Sequence, residues 1–262
     1  MNFNFKNKNV FISGGTHGIG LSCALALAKY GANIITFSRD KKKIDNTKKL
    51  LRNYNVSSLV LVGDALSEKS ITKVAKLVLK KFNKIDILIN NVGGGGRWGK
   101  ENIFKTSKNV WDEVYKKNVD PLIIFSNYFL PKMKKNNWGR IVTISSNIAL
   151  EVKNDTRPWF SAAKSSQISI MKSLSKKKEF VRSGITFNTI SPGPIFIENT
   201  GWSDFKKKNK RQYNKWIDEN IPLNRIGTPE DVSNIVTFIC SNYASFINGQ
   251  NIKIDGGQSN SA

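Results

Sequence analysis

The sequence has few of the residues that build metal sites and disulfides. It contains one histidine and two cysteines among 262 residues, and Cys23 and Cys240 stand far apart in the chain. Metal sites need several ligands at regular spacing, and a disulfide framework needs paired cysteines. We therefore expect no metal, cysteines that act as small packing residues, and a reducing, cytoplasmic location.

Long apolar runs are also missing. No stretch approaches the roughly 18 consecutive apolar residues that a membrane-spanning helix requires, and residues 1–6 lack the apolar core of a signal peptide. The sequence therefore predicts a soluble protein with no membrane partner. Because 39% of the residues are hydrophobic, the chain can still bury one substantial core, and we expect a single domain over residues 1–262.

Acidic residues are scarce, since 19 Asp and Glu stand against 42 Lys and Arg and leave a formal charge of +23. Such a charge attracts polyanions in general. Most of the excess is lysine scattered along predicted helices, however, and a run of like charges is most often a solvated face. With no recognisable nucleic-acid-binding module, we expect a basic solvated surface and no nucleic-acid partner.

Short apolar runs alternate with helix-length segments from one end of the chain to the other. This alternation predicts an α/β fold, a Rossmann-type doubly wound parallel sheet whose ligands bind beyond the carboxyl ends of the strands. Long helices are expected at about residues 109–136 and 161–183. The predicted strands cover residues 10–12, 34–37, 59–62, 85–89, 141–144, 185–188 and 251–254.

A glycine-rich turn follows the first predicted strand and leads into a helix. Glycines allow a tight turn, and the backbone N–H groups of a helix N-terminus bind a pyrophosphate. A plain strand-to-helix connection is the alternative. The sequence favours nucleotide binding, and the residues expected to line the site are Gly14, Thr16, His17, Gly18, Ile19 and Gly20.

The second predicted strand ends in Ser38 and Arg39, where an Asp or Glu would accept hydrogen bonds from a ribose 2′-hydroxyl. Arginine is a better partner for a 2′-phosphate. The sequence therefore predicts NADP(H) as the cofactor. His17 either reaches the same phosphate or is a surface turn residue, and the sequence leaves both open.

Further motifs resemble those of the short-chain dehydrogenase/reductase family, in its 3-oxoacyl-acyl-carrier-protein reductase-like branch. The likeness covers essentially the whole chain, and its segments are Gly63-Asp64, Asn90-Asn91-Val92-Gly93, residues 138–146, 191–195, 221–231 and 248–257. The resemblance implies a small-molecule substrate, a helical substrate lid at about residues 194–222 and a homotetramer or dimer. It also implies cofactor contacts from Asp64, Ala65, Asn91, Gly93, Lys164, Pro192, Gly193 and Ile195.

The resemblance further implies a catalytic tetrad of Asn, Ser, Tyr and Lys. Asn118 matches the residue that holds a helix kink and a relay water, Ser146 the residue that binds the substrate oxygen, and Lys164 the residue that binds the nicotinamide ribose. The fourth position is Phe160, which has no proton to give, and no tyrosine lies between Tyr128 and Tyr213 to replace it.

Three functions remain open at this point. The first is an NADP(H)-dependent oxidoreductase acting on a carbonyl, an alcohol or an activated C=C bond, with the proton supplied by Ser146, by a water near Asn118 and Lys164, or by the substrate. The second is a non-catalytic NADP(H)-binding regulator or assembly subunit, which Phe160 favours. The third is nucleic-acid binding, which only the charge favours.

Two segments near the expected site have open roles. Four consecutive glycines at residues 93–96 predict a mobile loop, in which Arg97 or Trp98 contacts an anionic or planar substrate, unless this is an ordinary surface loop. In the predicted lid, Trp202 and Trp216 either contact the substrate or pack the lid.

Overall fold

A computed structural model of the chain describes residues 1–96, 98–100, 102–152 and 157–260. Within these residues, seven parallel strands form one sheet in the order β3-β2-β1-β4-β5-β6-β7. All seven predicted strands are confirmed. Their bounds are β1 (Asn9–Ser13), β2 (Asn33–Ser38), β3 (Ser58–Val62), β4 (Ile87–Asn90), β5 (Gly139–Ile144), β6 (Ile185–Pro192) and β7 (Asn251–Ile254).

Helices connect the strands and cover both faces of the sheet. Helices α1, α2 and α9 bury apolar residues against one face, and α3, α4 and α5 bury theirs against the other. The continuously buried strands suit this arrangement. The helices are α1 (Gly18–Lys29), α2 (Lys41–Leu51), α3 (Glu68–Phe82), α4 (Lys108–Lys135), α5 (Pro158–Leu174), α6 (Lys178–Val181), α7 (Gly201–Lys208), α8 (Lys210–Asn220) and α9 (Pro229–Cys240).

The prediction of one helix over residues 161–183 is wrong, because α5 ends at Leu174 and the short α6 follows. The hydroxyl of Ser175 donates to the carbonyl of Lys172 at 2.7 Å. The carbonyl of Ser175 accepts from Asn248 Nδ2 at 3.0 Å. A distant side chain thus takes the carbonyl that a longer helix would have used, which a local pattern does not reveal.

The crevice for a ligand is set by strand order. β1 pairs with β2 on one side and with β4 on the other, so the chain connections diverge on opposite faces at β1 and β4. Ser13 and Asn90 are register partners, and the residues that follow them meet at the same sheet edge. This edge is where open α/β sheets bind their ligands.

In the part of the chain that the structure describes, no helix has the length and apolar character needed to cross a membrane.

Candidate active site

The glycine turn after β1 has a backbone that side chains would obstruct. Gly14 has φ +69° and Gly18 has φ +52°, which lie in the left-handed region that favours glycine. A Cβ added to Gly20 would lie 2.3 Å from the carbonyl oxygen of Gly14, so α1 packs directly on the turn. Thr16 is buried and Ile19 is half-buried. The turn and the N-terminus of α1 together fit a pyrophosphate.

Asn91 and Ser13 hold this turn against β4. The hydroxyl oxygen of Ser13 accepts from the backbone N–H groups of Asn91 and Val92 at 3.0 and 3.1 Å. The side-chain amide of Asn91 donates to the carbonyls of Ser13 and Gly14, both at 3.1 Å. Asn91, expected at the cofactor, therefore also supports the turn on which the cofactor would lie.

Thr36 is a supporting residue that sequence reasoning missed. Its hydroxyl oxygen accepts from the N–H of Gly15 at 2.9 Å and donates to the carbonyl of Ile12 at 2.7 Å. The pair of bonds joins the end of β1, the turn and β2. A polar residue inside an otherwise apolar strand was the available signal.

The two residues expected at the adenosine end are brought together. Arg39 follows β2 and Asp64 follows β3, and their side chains approach to 3.8 Å. The Arg39 side chain remains 68% exposed, so it is accessible to a ligand. The hydroxyl oxygen of Ser38 accepts from the N–H of Asp40, and Ala65 is half-buried beside Asp64.

His17 precedes α1 and lies at the surface, and its side chain does not cap the helix. Partial burial of the ring, followed by the ammonium of Lys43, lowers the pKa of His17. The neutral imidazole is therefore favoured, and it offers a hydrogen bond rather than a charge. Lys43, in the first turn of α2, is a nearby cation. The sequence did not single it out because it belongs to a run of three lysines at residues 41–43, which was interpreted as a solvated face.

The segment after β6 covers the glycine turn. Pro192 ends β6, and the N–H of Gly193 donates to the carbonyl of Ile254 at 3.0 Å. Ile195 forms an isolated bridge with Gly227. The side chain of Ile197 lies 2.8 Å from where a Cβ of Gly18 would be, so Ile197 is a further residue over the cofactor turn that sequence reasoning missed.

Three elements bring the predicted catalytic residues together. Ser146 follows β5, Phe160 and Lys164 lie one turn apart on α5, and Asn118 lies on the adjacent α4. The hydroxyl of Ser145 donates to the carbonyl of Lys164 at 2.9 Å, which fixes α5 to the end of β5. Ser146 itself is half-buried at this junction.

Lys164 is a buried cation with few partners. Its side-chain Nζ donates to the carbonyl of Ile144 at 3.0 Å and to Gln167 Oε1 at 3.1 Å. Burial lowers the pKa of Lys164 to about 7. A Cβ added to Gly93 would lie 2.8 Å from Lys164 Nζ and equally close to Asn118 Oδ1, so only glycine leaves this space beside the ammonium open.

Asn118 anchors the glycine loop. Its Nδ2 donates to the carbonyls of Val114 and Gly94 at 2.7 and 2.8 Å, and its Oδ1 accepts from the N–H of Gly94 at 3.2 Å. Pro121, inside α4, removes one helical hydrogen bond from the turn that contains Asn118. At the position where the resemblance implies a kink, this chain thus has a proline that weakens the helix locally.

Phe160 packs against the same loop. A Cβ added to Gly96 would lie 2.9 Å from the Phe160 ring, and the ring centroid lies 5.9 Å from Lys164 Nζ. The position therefore faces the site with an apolar ring where the resemblance implies a hydroxyl.

The loop after Gly93 is anchored more extensively than its four glycines suggest. The carbonyl of Trp98 accepts from Arg157 Nη1 at 2.9 Å and from Trp159 Nε1 at 3.1 Å. The Trp98 ring lies 4.4 Å beneath the ammonium of Lys117. Arg97, the other residue expected to contact a substrate, lies outside the described residues.

Helices α7 and α8 occupy the predicted lid segment. The rings of Trp202 and Trp216 lie 4.5 Å apart, within a cluster that includes Tyr213 and Ile217. This contact favours the interpretation that the two tryptophans pack the lid. The lid bounds at residues 194–222 stay a prediction.

Comparison with known proteins identifies the family. The family model described as "Enoyl-(Acyl carrier protein) reductase" matches residues 14–259. The 3-oxoacyl-[acyl-carrier-protein] reductase of Aquifex aeolicus is 33% identical over 259 residues, which are 98% of this chain and 99% of that protein. The chain belongs to the short-chain dehydrogenase/reductase family. The resemblance drawn from the motifs is therefore confirmed.

Solved structures of short-chain dehydrogenases/reductases share the fold. The L-sorbose reductase of Gluconobacter frateurii, complexed with NADPH and L-sorbose, superposes with a TM-score of 0.91 at 25% identity and covers 100% of both chains. A 7α-hydroxysteroid dehydrogenase complexed with NADH has a TM-score of 0.87 at 25% identity, over 99% of this chain and 97% of that one. These relatives are oxidoreductases, and the chain is an oxidoreductase of the same family.

Proposed function

We propose that the protein is an NADP(H)-dependent oxidoreductase that reduces a carbonyl or an activated C=C bond of a small molecule. The observation that carries the proposal is the placement of Lys164, whose buried Nζ donates to the Ile144 carbonyl and lies beside the space that Gly93 leaves open. Ser146 follows the same strand that supplies the Ile144 carbonyl. A nicotinamide cofactor supplies a hydride when bound.

The choice of NADP(H) rests on the charge at the adenosine end of the crevice. Arg39 follows β2, and Lys43 lies in the first turn of α2. Burial lowers the pKa of Lys117, and the nearby guanidinium of Arg39 lowers it further. Asp64 is the acid that faces Arg39. Such a group of cations favours a 2′-phosphate over a ribose hydroxyl.

Ser146 and Lys164 suit both proposed substrate classes. Hydride addition to a ketone or to an enone places negative charge on an oxygen, and a hydroxyl donor at that position stabilises the charge. Ser146 offers such a donor at the end of β5. Because the pKa of Lys164 is lowered to about 7, its ammonium can also release a proton near neutral pH. Phe160 can do neither, so we assign it no proton transfer.

Arg39→Asp is expected to remove the preference for NADPH over NADH. A charge-assisted hydrogen bond contributes about 1.5–3 kcal/mol, which corresponds to roughly tenfold to more than a hundredfold in affinity. Quenching of tryptophan fluorescence by each cofactor measures the preference. Arg52→Asp is the matched control, since Arg52 follows α2 at its far end from the strand carboxyl ends. Equal affinities for the two cofactors in the unmodified protein would refute the assignment.

Ser146→Ala and Lys164→Met are each expected to abolish turnover, whereas Phe160→Leu is expected to disturb only packing. Phe160→Tyr adds a hydroxyl near Lys164, and positioned acid catalysis contributes about 10²–10⁴-fold, so turnover of simple ketones is expected to rise. NADPH oxidation against one panel of ketones and enones gives the measurement. An unmodified protein and a Phe160→Tyr variant that bind NADPH but are both inert across the panel would contradict catalysis at this site.

We also propose a homodimer or homotetramer, as the family resemblance implies. Of the four α4 residues expected to cover both the sheet and a partner, Leu122, Phe125 and Phe129 lie wholly in the core and only Ile123 is exposed, at 41%. A partner on α4 would therefore meet Ile123 and its polar neighbours. Light scattering is expected to give a multiple of 29.4 kDa at micromolar concentration, and a monomer would refute the proposal.

A further inference from the structure

Gln167 is a fully buried polar residue that bridges two members of the expected tetrad. Its side-chain exposure is 0%. Its Nε2 donates to the backbone carbonyl of Asn118 at 2.6 Å, and its Oε1 accepts from Lys164 Nζ at 3.1 Å. A buried amide must find partners for both ends, and both partners of Gln167 belong to the site.

Helix geometry explains the bridge. Gln167 lies three residues beyond Lys164 on α5, so the two side chains share a face. That face packs on α4, where Pro121 removes a helical hydrogen bond from the turn of Asn118. The amide thus joins α5 to α4 in a turn that lacks one of its helical hydrogen bonds.

We propose that Gln167 is a positioning residue of this site, whose amide fixes the side chain of Lys164 toward the crevice and ties it to Asn118. The inference rests on the proposed function, because the orientation of Lys164 matters for turnover only if a cofactor binds beside it. It assigns no contact between Gln167 and a substrate.

The hydrogen-bond capacity of Lys164 shows what the bridge achieves. An ammonium has three N–H donors. The carbonyl of Ile144 and Gln167 Oε1 take two of them, and the third remains for the space that Gly93 leaves open. By accepting one N–H, Gln167 fixes the orientation of the ammonium so that a single N–H faces the crevice. An amide relays a proton only if it rearranges to its imidic form. Gln167 therefore orients Lys164 but does not supply it with a proton.

The bridge also affects the charge of Lys164. Burial is the cause of the lowered pKa, and the described groups packed around Nζ, from β5, α4, α5 and the glycine loop, are uncharged. Lys117, the charged neighbour of Asn118 in sequence, lies over Trp98 instead. Because Gln167 Oε1 accepts a hydrogen bond from the ammonium, it favours the protonated form. Its loss should lower the pKa of Lys164 further, and a carboxylate in its place should raise it.

Two substitutions at Gln167 and one on the same helix test the proposal in the full-length protein. Gln167→Met keeps the side-chain volume and removes both hydrogen bonds, and Gln167→Glu places a carboxylate beside Lys164. Ser165→Ala is the matched control. It removes the hydrogen bonds of the Ser165 hydroxyl to the carbonyls of Ala149 and Ser161, at 2.6 and 3.0 Å, and neither bond involves the side chain of Lys164.

The first measurement is NMR titration of ¹³C-labelled lysine, with the Lys164 signal identified by its absence in Lys164→Arg. We expect a midpoint at about 7 in the unmodified protein and in Ser165→Ala. The midpoint should fall in Gln167→Met and rise in Gln167→Glu. This readout needs no cofactor. Unchanged midpoints in both Gln167 variants would overturn the inference, and Gln167→Glu decides it if Gln167→Met fails to fold.

The second measurement is NADPH affinity as a function of pH. Affinity should weaken as pH rises through the pKa of Lys164, because the ammonium is the better donor to a ribose hydroxyl. In Gln167→Met this loss should move to lower pH, with affinity at neutral pH about tenfold weaker, the equivalent of ~1.4 kcal/mol. In Gln167→Glu it should move to higher pH. If the unmodified protein does not bind NADPH at any pH, the proposed function alone is refuted. If the binding curves of the two Gln167 variants match that of Ser165→Ala, the inference alone is refuted.

Discussion

The site depends on how a buried lysine ammonium is accommodated. An unpaired charge in a protein interior is strongly unfavourable, and Lys164 is 5% exposed. Its Nζ donates hydrogen bonds to the Ile144 carbonyl and to Gln167 Oε1. Burial also lowers its pKa to about 7. These partners come from β5 and α5, and Gln167 in turn binds Asn118 of α4. Holding one amine in place thus fixes the mutual position of the three elements that surround the expected reaction centre.

At the other end of the crevice, a few side chains likewise hold the glycine turn in place. Ser13, Thr36 and Asn91 bind the backbone of residues 13–15 and of the end of β4, so the N-terminus of α1 is presented by a rigid frame rather than by a flexible loop. Phe160 is the exception among the family positions. The residues that the resemblance assigns to cofactor and oxyanion binding are present around this position, where the resemblance implies an acid and the chain has a phenylalanine. This combination favours the proposed oxidoreductase with altered chemistry over a fold without activity.

Much of this arrangement could be predicted from sequence because its signals are local. Apolar runs located the seven strands, the glycine spacing located the turn, and ordered motifs located Ser146 and Lys164. Gln167 and Ile197 were missed because each has a contact far away in the chain, Gln167 with Asn118 and Ile197 with Gly18, and an isolated Gln or Ile carries no pattern. The polar Thr36 within an apolar strand was a signal, but its partner Gly15 lies 21 residues away. The end of α5 was wrong for the same reason, since Asn248 takes the carbonyl of Ser175.

The proposed function requires this site to transfer a hydride without a tyrosine. The most direct test incubates the protein with NADPH deuterated at nicotinamide C4 and a panel of ketones and enones, and follows deuterium into the products by mass spectrometry. The account predicts one deuterium on the reduced carbon of at least one compound, lost in Ser146→Ala although NADPH still binds. NADPH binding with no deuterium transfer to any ketone or enone would contradict it.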